Sequence, residues 1–234
     1  MRDANAPEDR LGVVARYYDL PLTTMQTIAD LGKDARKPVC QDLGLSPSIV
    51  RTMVDYDRYP QARDILDAML LLREDVATFT VLDFGCLVAD YAIFFARLGA
   101  RAAIYDGEEE VKFAQFRFAD AELPLITYTI PTSGDVLMGG KTLVIFGEVL
   151  EHLENPLLPI KDCIESSVKY IFTSCYPFGD EEYYGLSGHL KSAQSLQSDC
   201  IRLLIENYDA IPLRDKTLLW KARAGEHASS LARA

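Results

Sequence analysis

Three groups able to do chemistry stand together in Glu148-Val149-Leu150-Glu151-His152. On a helix Glu148 and Glu151 would be three positions apart and Glu148 and His152 four, which gathers two carboxylates and an imidazole on one face. Such a set can hold a divalent cation: its oxygens suit magnesium or manganese, and its imidazole admits zinc or iron. Without a metal, His152 can serve as a general base or simply support its loop. A later imidazole, His189 in Gly188-His189-Leu190, is a further candidate ligand or base.

A second constellation runs from Val81 to Asp106. The apolar run Val81-Leu82-Asp83-Phe84 meets Gly85, and an apolar stripe from Tyr91 to Leu98 ends at Gly99. This is the pattern of a strand, a tight turn, a helix and a second strand. The turn of such a unit aims backbone N–H groups at whatever lies above the strand, so a ligand site is expected at Asp83 to Asp90. Asp106 ends the second strand about 20 residues further on, where a carboxylate can accept hydrogen bonds from a ribose diol. The plainer alternative is an ordinary α/β turn followed by a solvated carboxylate.

The elements around these residues predict an α/β protein with a doubly wound, mostly parallel sheet. Strands are expected at Val81 to Phe84, Ala102 to Tyr105, Leu125 to Ile130, Leu143 to Gly147 and Tyr170 to Cys175. Ala210 to Leu213 and Thr217 to Ala222, separated by three residues, fit a closing antiparallel hairpin. Residues 1–75 form an expected all-α segment, 76–223 the sheet domain and 224–234 a tail. The segment contains Thr23 to Leu31, a helix capped by Ser46 with Pro47 at its first position, and Gln61 to Leu72, between breaks at Pro21, Pro38, Pro47 and Pro60. Ile65, Leu66, Met69, Leu70 and Leu72 read as a core face. Tyr17, Tyr18, Tyr56 and Tyr59 are candidate lid aromatics. The polar residues 1–10 are expected to carry no chemistry.

The composition, 49% apolar and 25% charged, is ordinary for a soluble chain, and no apolar run approaches membrane-spanning length. The first thirty residues lack a basic stretch followed by an apolar one, and a cytoplasmic location is expected. A formal charge of −11 without a Lys/Arg stripe argues against a nucleic-acid partner. Five scattered cysteines with no C-x-x-C pair fit buried thiols rather than a disulfide framework.

From about Thr80 to Ala222 the chain resembles the class I S-adenosylmethionine-dependent methyltransferases. The resemblance rests on LDFGC, the acidic end of the second strand, GEVLEHLENP, YIFTSCYP and GHLKSAQSLQSDCIRLLIENY before the hairpin. It implies a seven-stranded Rossmann-like sheet with an antiparallel last strand, S-adenosyl-L-methionine as cofactor, and O- or C-methylation of a small-molecule acceptor. It places Asp83, Gly85, Cys86 and Leu87 at the methionine end of the cofactor, Asp106 and Gly107 at the ribose, Asp135 near the adenine, and Glu148 beside the cofactor. Cys175 and Tyr176, after the fifth strand, would face the acceptor, with the loop from Gly179 to Gly185 as a flap. Tyr176, His152 and His189 are the candidate catalytic residues.

The E-x-x-E-H segment is similar to that of the small-RNA terminal ribose methyltransferases and of the ubiquinone-type O-methyltransferases. That likeness implies a metal held by Glu148, Glu151, His152 and His189. One departure stands out: where the family has D-x-G-x-G-x-G, this chain has Asp83-Phe84-Gly85-Cys86-Leu87-Val88-Ala89. A leucine at the middle glycine is expected to crowd the amino-acid end of the cofactor. The competing reading is a methyltransferase-like scaffold that binds another ligand or a partner, or a second copy through the helical segment, without methyl transfer.

Overall fold

The computed structural model describes residues 9–127, 142–174 and 189–223. Its helices are α1 (Arg10–Tyr17), α2 (Leu22–Ala29), α3 (Lys33–Asp42), α4 (Pro47–Asp55), α5 (Tyr59–Leu71), α6 (Asp90–Arg97), α7 (Glu108–Asp120), α8 (Leu157–Glu165), α9 (Lys191–Ser195) and α10 (Gln197–Asn207). Its strands are β1 (Thr80–Phe84), β2 (Arg101–Tyr105), β3 (Ile126–Thr127), β4 (Thr142–Phe146), β5 (Tyr170–Thr173), β6 (Tyr208–Pro212) and β7 (Leu218–Ala222).

The strands form one sheet in the order β3-β2-β1-β4-β5-β7-β6. β1 pairs in parallel with β2 and β4, β4 with β5, and β7 enters antiparallel between β5 and β6. Six strands are full-length elements, whereas β3 is a two-residue edge pairing. The third strand expected at Leu125 to Ile130 is therefore shorter among the described residues, and 128–130 lie outside them. β4 is buried at all five positions and β5 at all four, because helices cover both faces of a parallel sheet. The closing hairpin is as expected, with Leu213 N–H donating to the Thr217 carbonyl at 3.0 Å.

The N-terminal helices fall into two groups according to what they bury against. α5 lays Ala62, Ile65, Ala68 and Met69 on Val81, Phe94, Leu143 and Ile145, and so belongs to a layer on the sheet. Leu70, expected in that face, is 56% exposed instead, and the two alanines take the inward positions. α1 to α4 gather Val13, Val14, Met25, Ile28, Ile49, Val50 and Met53 into a separate core, which reaches the sheet domain through Leu87, Val88 and Phe113. Each such side chain contributes roughly 1.5–3 kcal/mol on burial, which lets four short helices hold together.

Two local readings need correction. Pro38 lies inside α3 instead of ending a helix, on its exposed side, where it removes a single backbone donor. Ser46 does stand at the N-cap of α4 with Pro47 next, but its hydroxyl pairs with Ser48 Oγ at 2.8 Å rather than with the helix backbone. Ser46 N–H donates to the Tyr18 hydroxyl at 3.0 Å, which ties the end of α1 to the start of α4. Burial pushes that phenol up to about 12, with the Ser46 bond opposing.

Candidate functional site

The registers of β1, β2 and β4 bring Phe84, Tyr105 and Phe146 level. The residues that follow them, Gly85, Asp106 and Gly147, therefore meet at one edge of the sheet, at the carboxyl ends of parallel strands where open α/β sheets take their ligands. A crevice of about 200 Å³ opens there, bordered by Asp83, Leu87 and Glu148 on the sheet side and by Thr52, Tyr56 and Arg58 on the helical side.

The turn after β1 has the torsions of a glycine loop at all three of its glycine-type positions: Gly85 at φ +70°, Leu87 at +50° and Ala89 at +59°. A leucine and an alanine held in the left-handed region cost about 1–2 kcal/mol each, so the surroundings must impose this shape. Gly85 itself has no alternative, because a Cβ there would lie 2.3 Å from Val149 Cγ2. Gly147 is equally constrained, since a Cβ would sit 2.7 Å from the Tyr91 ring.

Asp106 closes this turn. Its Oδ2 accepts from Leu87 N–H at 2.6 Å and its Oδ1 from Gly107 N–H at 2.7 Å. Burial pushes the Asp106 carboxyl up, and the two backbone bonds pull it back only in part. Asp83 is more deeply buried, at 2% exposure, and its Oδ2 accepts from Ala92 N–H at 3.2 Å. Ala89, the N-cap of α6, has no side chain able to cap, so Asp83 supplies the acceptor for the first turn of that helix. Burial, with Asp90 and Asp106 nearby, drives the Asp83 carboxyl well above the usual range. The neighbouring Cys86 thiol is also buried and pushed up, hence a neutral wall.

Leu87 does two things at once. Its N–H holds Asp106, while its side chain packs on the apolar core of α1 to α4 as well as bordering the crevice. Besides bordering the crevice, where crowding of a cofactor is expected, this leucine fastens the turn to the helices above it.

Those helices are held over the crevice by Arg10, the last residue of the polar stretch for which no chemistry is expected. Arg10 Nη1 meets both oxygens of Asp90, at 3.0 and 2.9 Å. Its Nε and Nη2 donate to the carbonyls of Met53, Thr52 and Tyr56 at 2.9, 3.0 and 2.7 Å, and so satisfy the free end of α4. Arg117, buried in α7, reaches Asp90 Oδ1 at 2.8 Å and also donates to the Val88 carbonyl. No local motif marks these arginines, because every partner is far along the chain.

Glu148 has φ +58° and follows a β4 that gives way to a 3₁₀ turn, Leu150–His152, rather than to an α-helix. The helical spacing that would join it to Glu151 and His152 is absent. Its N–H donates to Ser174 Oγ at 2.8 Å, and its carboxylate pairs with Arg58. Burial works against the Arg58 charge, but Glu148 more than restores it and holds the guanidinium above its ordinary value. Beside this pair the Tyr91 hydroxyl donates to Gln61 Oε1.

Glu151, His152 and His189 do come together, with one ligand atom of each inside a 4.8 Å group. Leu190 N–H donates to the Glu151 carbonyl at 2.9 Å, which brings His189 beside His152, ring centroids 4.9 Å apart. His152 also borders the crevice. Of the four candidate lid tyrosines, Tyr56 borders the crevice, whereas Tyr17 and Tyr18 pack in the helical core and Tyr59 against the sheet layer. Asp135, Cys175, Tyr176 and the flap Gly179 to Gly185 lie outside the described residues.

No family model matches the chain, and no curated protein matches it by sequence. Solved structures do. Magnesium protoporphyrin IX methyltransferase from Synechocystis PCC 6803 with bound SAM superimposes with a TM-score of 0.52 at 18% identity, over 94% of this chain and 100% of that one. The same enzyme with bound SAH gives 0.51 at 20% identity, over 70% of this chain and 82% of that one. WbdD gives 0.53 at 14% identity, over 73% of this chain and 42% of that longer one.

The chain has the fold of the class I S-adenosylmethionine-dependent methyltransferases. The likeness is one of fold, and within that fold Gly85, Leu87 and Asp106 form the turn at the strand ends while α1 to α4 roof it. No described helix is long and apolar enough to cross a membrane.

Proposed function

We propose that this chain is an S-adenosyl-L-methionine-dependent methyltransferase acting on a small-molecule acceptor by O- or C-methylation. The observation that carries the reading is the turn itself: all three glycine-type positions keep left-handed torsions although two are not glycine, and Asp106 is fixed against the middle one. The Asp106 carboxylate holds this shape from the end of β2, and strained non-glycine residues cluster at ligand-binding turns. The cofactor that the fold implies fits the residues present: Asp106 would take the ribose hydroxyls and the backbone of the turn the methionine portion, with Asp83 and Gly107 flanking. When bound, that cofactor supplies an electrophilic methyl group.

The chain's own part is to hold the acceptor in line and dry, and to accept its proton. Tyr56, Arg58 and the other crevice residues of the helical roof exclude water, and His152, at the crevice rim and paired with His189, is the base. Titration with S-adenosylhomocysteine, comparing the wild type with Asp106→Asn, tests the reading.

One observation favours a second reading, in which the two histidines are metal ligands and His152 is not the base. Glu151, His152 and His189 form a two-imidazole, one-carboxylate group that fits a divalent cation. Such a metal would bind acceptor oxygens and lower the pKa of a hydroxyl. Glu148, engaged by Arg58, is left out of this set. Stoichiometric metal in protein purified without chelator, lost in His189→Ala, is the expected result; metal-free protein that does not respond to added Mn²⁺ contradicts it.

A further inference from the structure

We propose that a second cavity, between α3 and α4, binds a small molecule through an oxyanion group such as a phosphate or carboxylate. The cavity measures about 530 Å³ and is lined by Lys33, Arg36, Lys37 and Arg51 against Asp34 and Asp55. Four cations against two carboxylates make it an island of positive charge in a chain of net charge −11, and such an island gathers anions from solution.

The floor is built rather than incidental. Arg36 is only 6% exposed, with Nη1 held by Asp55 at 3.0 Å and Nη2 by the carbonyls of Ala29 and Leu31 at 3.1 and 2.9 Å. Its Nε is buried and has no hydrogen-bond partner. Three hydrogen bonds thus fix this guanidinium in the cavity wall, and a buried donor left without a partner beside them is unusual. Asp55 is neutralised by this same arginine, which leaves Lys33, Lys37 and Arg51 against Asp34 at the mouth, a net positive charge.

Tyr56 arranges two of those cations in advance. Lys33 Nζ lies 5.8 Å and Arg51 Cζ 5.4 Å from its ring centroid, and Arg51 Nη2 donates to its hydroxyl at 2.7 Å. Ser48 and Arg51 line both this cavity and the crevice at the strand ends, so the two spaces adjoin. A ligand anchored by its anion in the helical unit would extend toward that crevice. The anion site itself does not depend on methyl transfer.

The test is calorimetric titration of the full chain with inorganic pyrophosphate, with and without saturating S-adenosylhomocysteine. Saturable binding is expected, weakened more than tenfold in the double variant Lys33→Gln/Lys37→Gln, whose side chains are exposed and whose loss should leave folding intact. The charge-matched Lys161→Gln/Lys191→Gln variant on the sheet domain should bind as the wild type does. Absence of saturable binding, equal loss in both double variants, or displacement of pyrophosphate by S-adenosylhomocysteine would each overturn the proposal. A failure of S-adenosylhomocysteine alone to bind counts against the methyltransferase reading and leaves pyrophosphate binding as a separate result.

Discussion

Arg10 and Asp90, eighty positions apart, are joined by two hydrogen bonds of 3.0 and 2.9 Å, and Asp90 is 1% exposed. This pair connects the first helix of the roof to the first residue of the helix behind the turn. Through Arg10's bonds to the α4 carbonyls the same side chain also fixes the wall that carries Thr52 and Tyr56. The roof and the turn are therefore one mechanical unit, with Leu87 and Val88 among its apolar contacts and Arg10 among its polar ones.

Removing Arg10 should cost both stability and ligand binding. Arg10→Gln leaves Asp90 with Arg117 alone and frees the end of α4, a loss on the order of 2 kcal/mol, the worth of hydrogen bonds to a charged group that keeps its other partner. Thermal unfolding is expected to shift down by several degrees, and hydrogen exchange in α1 and α4 to accelerate before that of the sheet. Uniform acceleration across the sheet would show that the roof is not a separable unit.

Leu87→Gly separates crowding from fastening. The structure places the leucine side chain on the helical core, so glycine should relieve the left-handed torsion yet lose the contact, for a net destabilisation of about 1 kcal/mol. S-adenosylhomocysteine affinity should be unchanged or weaker. A gain of fivefold or more would mean that the side chain obstructs the cofactor.

The buried carboxylate at Asp83 gives a pH signature. Burial raises it above the ordinary aspartate value of 3.8, against the pull of the Ala92 hydrogen bond. The folded protein then keeps this proton at pH values where the unfolded chain has released it. Its contribution to stability is full below about pH 4 and is lost as the pH rises through the folded value. Asp83→Asn retains an oxygen for Ala92 and cannot ionise. Its melting temperature should exceed that of the wild type at pH 8, and the gap should close toward pH 4. A gap of constant size across this range would remove the ionisation argument.

The parts of the site that were legible in the sequence are those fixed by local rules. The run Val81 to Phe84, the helix after it and the acidic end of β2 follow from apolar spacing and from the geometry of a parallel crossover, and Asp83, Gly85 and Asp106 were found that way. Spacing misled at Glu148: its i, i+3 and i, i+4 relations to Glu151 and His152 hold only on an α-helix, and a positive φ followed by a 3₁₀ turn sends its carboxylate to Arg58 instead. Arg10, Arg58 and Arg117 could not be read at all, since an arginine's partner is set by packing between distant elements. The roof's division into α1 to α4 and α5 was equally hidden, because both groups have helical periodicity and only the contacts tell which surface each one buries.

The most direct measurement is isothermal titration of the wild type and Asp106→Asn with S-adenosylhomocysteine, after denaturation and mass spectrometry have shown whether a ligand copurifies. The account predicts micromolar binding by the wild type and a loss of roughly tenfold to a hundredfold in the variant, the worth of hydrogen bonds to a charged acceptor. Wild-type protein that is folded, ligand-free and unable to bind, or a variant that binds equally well, would contradict it.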